Sequence, residues 1–158
     1  MNVAVDVMAP DPNTWHEVLA AIEGRSERRI AVQLYGRPHP ELLEALAQRG
    51  ADVHAVPVYQ WQLPEDTGPL REAIRLLADG AFDVTLWTTS QQVVHLLEAA
   101  ADMHLETEVR RAIEKSFVAS IGPTTSEMLR EYGFEPDLEP SHPKLGFLVK
   151  EAAERGKT

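Results

Sequence analysis

Ser120-Ile121-Gly122-Pro123-Thr124-Thr125-Ser126-Glu127-Met128-Leu129 reads as the end of an apolar strand running through a glycine, a proline and hydroxyls straight into a helix. Backbone N–H groups at a helix start have no acceptor inside the helix. A glycine lets a ligand come close and a proline is preset for the first turn, so the junction is expected to leave donors facing outward, suited to an anion. Upstream, Thr85-Leu86-Trp87-Thr88-Thr89-Ser90-Gln91-Gln92-Val93 repeats the pattern of apolar strand, hydroxyl-rich turn and helix. Two such junctions suggest a ligand with several carboxylates or phosphates. The plainer reading of each hydroxyl is a helix cap.

Working outward, strands and helices alternate. Val3, Val5 and Val7 mark a short first strand, and Thr14 with Glu17 forms a capping-box start for a helix to about Glu23. A strand over Arg29–Tyr35 turns through Gly36-Arg37-Pro38-His39-Pro40 into a helix over Glu41–Gln48 closed by Gly50, and Val53–Trp61 is the next strand. The polar, proline-bearing stretch Leu63–Pro69 marks a domain boundary. Beyond it the pattern gives a helix over Leu70–Ala78, a strand over Phe82–Trp87, a helix over Gln91–Ala100, and a short amphipathic helix ending at Ile113. A strand over Phe117–Ile121, a helix over Ser126–Tyr132, a weak strand near Asp137-Leu138 and a helix from Lys144 complete the chain. This alternation calls for an α/β fold with a parallel sheet and right-handed crossovers. The near-continuous apolar character of Ile30–Leu34, Val84–Trp87 and Phe117–Ile121 marks them as central strands. Ligands of such sheets bind at the carboxyl ends of the strands, where the turns at Tyr35-Gly36, Thr88-Thr89-Ser90 and Gly122-Pro123-Thr124-Thr125 would share one rim.

Composition narrows the ligand. A formal net charge of −10, with Arg28-Arg29 and Arg110-Arg111 the only adjacent basic pairs, argues against nucleic acid and anionic membrane as partners. The chain has no cysteine, which removes disulfides and thiolate sites and fits a cytoplasmic location. No apolar run approaches the roughly 20 residues of a membrane span, and the start does not resemble a signal peptide. The six histidines, His16, His39, His54, His95, His104 and His142, show no metal-ligand spacing, so no metal is expected. No phosphate-loop lysine motif or dinucleotide glycine fingerprint is present, and Trp15, Trp61 and Trp87 read as core or interface anchors.

Ile30-Ala31-Val32-Gln33-Leu34-Tyr35-Gly36, Val56-Pro57-Val58-Tyr59-Gln60-Trp61, Thr88-Thr89-Ser90, Ala119-Ser120-Ile121-Gly122-Pro123-Thr124-Thr125 and the tail Pro140-Ser141-His142-Pro143-Lys144 together resemble uroporphyrinogen-III synthases. The resemblance covers essentially the whole chain in order and spacing. It implies two three-layer, flavodoxin-like α/β domains joined by a two-stranded linker, family members being longer at the amino end. Residues 1–60 would then be the carboxyl end of one domain (strand-helix plus strand-helix-strand), 61–66 the linker, and 67–158 most of the other domain.

The family's reaction, in tetrapyrrole (heme) biosynthesis, closes the linear tetrapyrrole hydroxymethylbilane into uroporphyrinogen III. Hydroxide loss leaves a stabilised cation, the far ring attacks it, and a spiro intermediate rearranges to invert that ring, with no cofactor required. By the resemblance Tyr59 is the catalytic residue, a general acid for the leaving hydroxyl. Thr88, Thr89, Ser90, Gly122, Thr124 and Thr125 would hold substrate carboxylates, and Gly36 would let a third backbone turn approach. Interdomain packing is the plainer reading of Tyr59, and His142 reads first as a surface residue at a helix start. A non-catalytic tetrapyrrole- or small-anion-binding module of the same fold is the alternative function. The strand-helix-strand over Arg29–Trp61 also resembles the opening unit of the second domain, so it would either fold back at Leu63-Pro64-Glu65 onto residues 64–158 or dock onto a second copy as a domain-swapped homodimer, the dimer being favoured.

Overall fold

Thr14 and Glu17 set the first helix. The Thr14 N–H donates to Glu17 Oε2 at 2.8 Å and the Thr14 hydroxyl accepts from the His16 N–H at 3.3 Å, so the foreseen capping box opens α1 (Trp15–Ala21). The computed structural model describes residues 4–36 and 38–156, which fall into two compact units, Met1–Gln62 and Leu63–Thr158. The strand expected at Val3, Val5 and Val7 is not formed among the described residues, and Val3 lies outside them. Val5 is exposed, and among the described residues no strand lies beside it to supply a ladder.

In the first unit β1 (Arg29–Leu34) leads through α2 (Pro40–Gln48) to β2 (Asp52–Pro57). The strands pair in parallel from Arg29↔Asp52 to Leu34↔Pro57. Gly50, at φ +83°, takes the left-handed conformation that ends α2 as expected. The strand expected to run to Trp61 stops at Pro57. Arg37, in the turn between β1 and α2, lies outside the described residues. Ile30, Val32 and Leu34 are half-buried while Arg29, Ala31 and Gln33 are exposed, so β1 is not the doubly covered central strand its composition suggested. Leu46 is the one buried apolar residue of this unit among those described.

The second unit carries α3 (Gly68–Ala78), β3 (Val84–Trp87), α4 (Ser90–Asp102), α5 (Glu106–Lys115), β4 (Phe117–Ser120), α6 (Pro123–Glu131) and α7 (Leu145–Arg155). β3 and β4 pair in parallel from Val84↔Phe117 to Trp87↔Ser120, and a parallel bridge joins Ala119 to Leu138 on the far side of β4. β4 is thus central here, with Val118, Ala119 and Ser120 all buried. Strand alternation then sorts the core. Trp87 and Val118 point into the larger cluster with Ile74, Val93, Ile113 and Leu129, whereas Ala119, Phe117 and Val84 pack with Leu138, Leu148 and Ala152 of the α7 side. Helices therefore cover both faces of this sheet.

The segments Ile30–Leu34, Val84–Trp87 and Phe117–Ile121 pair as expected in parallel, but in two separate two-stranded sheets among the described residues. α6 begins at Pro123, three residues earlier than the hydroxyl run suggested, because proline at the first helical position loses no intrahelical bond. Thr124 and Thr125 are consequently first-turn helix residues rather than loop. A short, partly buried relay is fully paired. Trp87 Nε1 donates to Thr85 Oγ1 at 3.2 Å, Thr85 Oγ1 lies 3.1 Å from Ser116 Oγ, and Ser116 Oγ donates to the Ile113 carbonyl at 2.9 Å.

Candidate functional site

At the carboxyl ends of β3 and β4 the chain leaves the sheet in two neighbouring turns. The Ile121 N–H donates to the Trp87 carbonyl at 2.9 Å, which keeps the strands paired to their last residues and sends Thr88 and Gly122 out side by side. Parallel strands put both following helix starts on this edge, so α4 and α6 aim their N-termini at the same rim.

The β3 turn is already occupied by an oxygen. Gln92 Oε1 accepts from the Thr88 N–H at 2.9 Å, the Thr88 hydroxyl at 3.2 Å and the Thr89 N–H at 3.3 Å. Three donors converging on one acyl oxygen form the geometry that a carboxylate would meet. Thr88, Thr89 and Ser90 are half-buried. Gln92 escaped the sequence reading, although Thr89-x-x-Gln92 carries the capping-box spacing that would have flagged it.

The β4 turn is differently arranged. Ser120 Oγ donates to the Gly122 carbonyl at 3.0 Å, and the same carbonyl accepts from the Thr125 and Ser126 N–H groups at 3.1 and 3.0 Å. Thr124, exposed on the first turn of α6, carries its hydroxyl to the surface, while Thr125 is 4% exposed. Gly122 is extended at φ 167°, a conformation open to any residue, and a Cβ placed there would meet Pro143 Cβ at an ordinary 3.6 Å. Its backbone therefore does not demand glycine. Nearby in sequence, Ser141 donates its hydroxyl to Glu151 at 2.6 Å, a bond that holds the Glu151 carboxyl below the usual carboxylate range. His142 is exposed beside Phe147, their ring centres 4.6 Å apart.

The first unit holds the remaining two residues, Gly36 and Tyr59. Tyr35-Gly36 follows β1 and Val58–Trp61 follows β2, so the parallel register brings them together at the carboxyl strand ends. Tyr59 packs edge-on against both Tyr35 and Trp61, with ring centres 6.5 and 5.8 Å apart. Trp61 Nε1 donates to the Tyr35 carbonyl at 3.2 Å. Gly36, at φ +75°, lies under these rings, and a Cβ there would stand 2.5 Å from Trp61 Nε1 and 2.8 Å from Tyr59 Cε2. The glycine is thus required twice, by its backbone angle and by the rings. Tyr59 is 43% exposed, and its hydroxyl has no hydrogen-bond partner among the described residues. Among those residues no group of three His, Cys, Asp or Glu side chains is placed to hold a metal ion, and no helix is long and apolar enough to cross a membrane.

Residues 1–150 match the family model described as uroporphyrinogen-III synthase HemD. The chain belongs to the uroporphyrinogen-III synthase family. It is similar to the uncharacterized protein YjjA of Bacillus subtilis, 30% identical over 129 residues that make up 81% of this chain and 47% of that protein. Its structure is similar to wild-type uroporphyrinogen III synthase of Thermus thermophilus at a TM-score of 0.58 and 29% identity, covering 91% of this chain and 54% of that one. Against the selenomethionine mutant of the same enzyme the TM-score is 0.65 at 27% identity, with 91% and 55% covered. The chain spans about half the length of the relatives it matches.

Proposed function

We propose that the chain carries out uroporphyrinogen-III synthase-type cyclisation of hydroxymethylbilane with inversion of the terminal ring. The observation that carries this reading, within the family, is the β3 turn, which already binds a side-chain acyl oxygen through the Thr88 and Thr89 donors beside the start of α6. Thr88, Thr89 and Ser90 with the exposed Thr124 would seat substrate acetates and propionates, and the buried Gly122 and Thr125 would shape the turn beside them. Neutral N–H and hydroxyl donors suit a chain of net charge −10, because they hold anions locally without a basic field. The Tyr59 phenol donates a proton to the departing hydroxyl, which leaves as water. The resulting cation is attacked by the far ring at its substituted carbon, and the spiro intermediate rearranges and loses a proton. The protein's further contribution is to bring the two ends of the substrate together.

The helices on both faces of β3 and β4 support reading 67–158 as most of one flavodoxin-like, three-layer domain. Residues 1–60 would be the carboxyl end of the other, with 61–66 the linker. The thin sheet of the first unit, with no strand residue fully buried, supports completion by a second copy, a domain-swapped homodimer. The same thinness favours the second reading, a non-catalytic tetrapyrrole- or small-anion-binding module. Wild type and Tyr59→Phe assayed on hydroxymethylbilane separate the two readings: the synthase reading requires turnover that the phenylalanine lowers, the binding module none from either.

A further inference from the structure

The arrangement around Gly36 has the character of a clamp on one side chain. The Trp61 indole is tied through Nε1 to the Tyr35 carbonyl at 3.2 Å and lies over Gly36, where any side chain would collide with it. From that seat the indole meets the Tyr59 ring edge-on at 5.8 Å, and Tyr35 meets it from another side at 6.5 Å. Tyr59 itself has no hydrogen bond to fix its hydroxyl among the described residues, and follows the end of β2 on irregular backbone. A half-exposed tyrosine on such a segment would sample several rotamers without neighbours to restrict it.

We infer that Trp61 is a positioning residue for Tyr59, held in place by the Tyr35 carbonyl and made possible by the missing side chain at Gly36. The inference rests on the proposed role of the Tyr59 phenol as proton donor. It gives Gly36 a task different from backbone approach to a ligand, since the space above the glycine is filled by rings. It also gives Trp61, 45% exposed, a reason to stand at the surface rather than in the core. Edge-to-face contacts of this kind restrict a ring without covering its face or its hydroxyl. The phenol therefore stays open to substrate while its direction is fixed.

The chain has three tyrosines, Tyr35, Tyr59 and Tyr132, which makes the test direct. With 3-fluorotyrosine incorporated throughout, fluorine NMR gives three resonances, assigned by Tyr→Phe variants, with Tyr132 of the second unit as internal reference. Gly36→Ala and Trp61→Ala are each expected to move the Tyr59 resonance toward the position of a free fluorotyrosine and leave Tyr132 unmoved. Trp61→Phe, which keeps an aromatic ring but loses the Nε1 bond, should move it less. On hydroxymethylbilane, Trp61→Ala should lower kcat about tenfold or more with KM little changed, as expected for a misdirected catalytic group. Combined with Tyr59→Phe it should add little further loss. An unmoved Tyr59 resonance in both Gly36→Ala and Trp61→Ala overturns the clamp. A moved resonance with undiminished kcat overturns its part in the reaction. Absence of turnover from the wild type rejects the synthase reading, and with it the catalytic role of Trp61, while the fluorine spectra still decide whether the clamp exists.

Discussion

Gln92 Oε1 lies 2.9 Å from the Thr88 backbone nitrogen and fills the space between the Thr88 and Thr89 donors, the seat proposed above for a substrate carboxylate. A bound carboxylate must therefore displace this oxygen or share the donors with it. Gln92→Ala removes the competitor and half of a helix cap, so it should cost about 1 kcal/mol of stability. It should also tighten binding of a stable octacarboxylate such as uroporphyrin III several-fold, because the free turn no longer has to be vacated. Thermal unfolding and fluorescence titration of both proteins test this. Weaker binding by the variant would mean that Gln92 belongs to the seat instead of filling it.

Ser126 presents the opposite situation. Its hydroxyl is fully buried in α6 with no partner among the described residues. An unpaired buried hydroxyl is unfavourable, so Ser126→Ala should be neutral or stabilising by up to about 1 kcal/mol in denaturant unfolding. A loss of about 2 kcal/mol would mean the hydroxyl holds a partner worth that much.

Glu151 predicts a pH response. The Ser141 hydroxyl bond depresses its folded pKa below the ordinary 4.5, so its contribution is complete above that value and is lost as pH falls through the lower folded pKa. The carboxylate is exposed and the effect small. The melting-temperature difference between wild type and Glu151→Gln should be constant from pH 7 to 5 and shrink below about 4.5. A difference that stays constant down to pH 3 would contradict the assignment.

The first unit should not stand alone. Its two-stranded sheet leaves Ile30, Val32 and Leu34 only half-buried, and Val5 and Met8 are exposed, so a second copy is the natural cover. Light scattering after size exclusion should give a dimer at micromolar concentration. A monomer throughout that range would remove the swapped assembly.

Much of this architecture is legible in the chain, for local reasons. Thr14-x-x-Glu17 and Gly50 mark helix ends through capping and left-handed backbone, and those ends appear where expected. The segments Ile30–Leu34, Val84–Trp87 and Phe117–Ile121 carry near-continuous apolar character, and strands form over them at Arg29–Leu34, Val84–Trp87 and Phe117–Ser120. What was illegible depends on partners. Whether Ile30 and Val32 are central or marginal is decided by which strands lie beside them, and no local pattern encodes that. The strand from Val53 breaks at Pro57, where the alternation that continues to Trp61 serves the aromatic cluster instead. Within the candidate site, the hydroxyl turns were readable from residue type. Their engagement by Gln92, and the hold of Trp61 on Tyr59 above Gly36, are contacts across a turn or between strand ends.

The central claim is that this chain directs ring closure. The most direct measurement is the isomer ratio of uroporphyrinogen formed from freshly generated hydroxymethylbilane with and without the purified chain. Spontaneous closure gives the uninverted isomer. The account predicts that the chain shifts the product to the inverted isomer III at a rate proportional to protein concentration, with Tyr59→Phe retaining the fold and losing much of that rate. Product that remains the uninverted isomer at every protein concentration would contradict it.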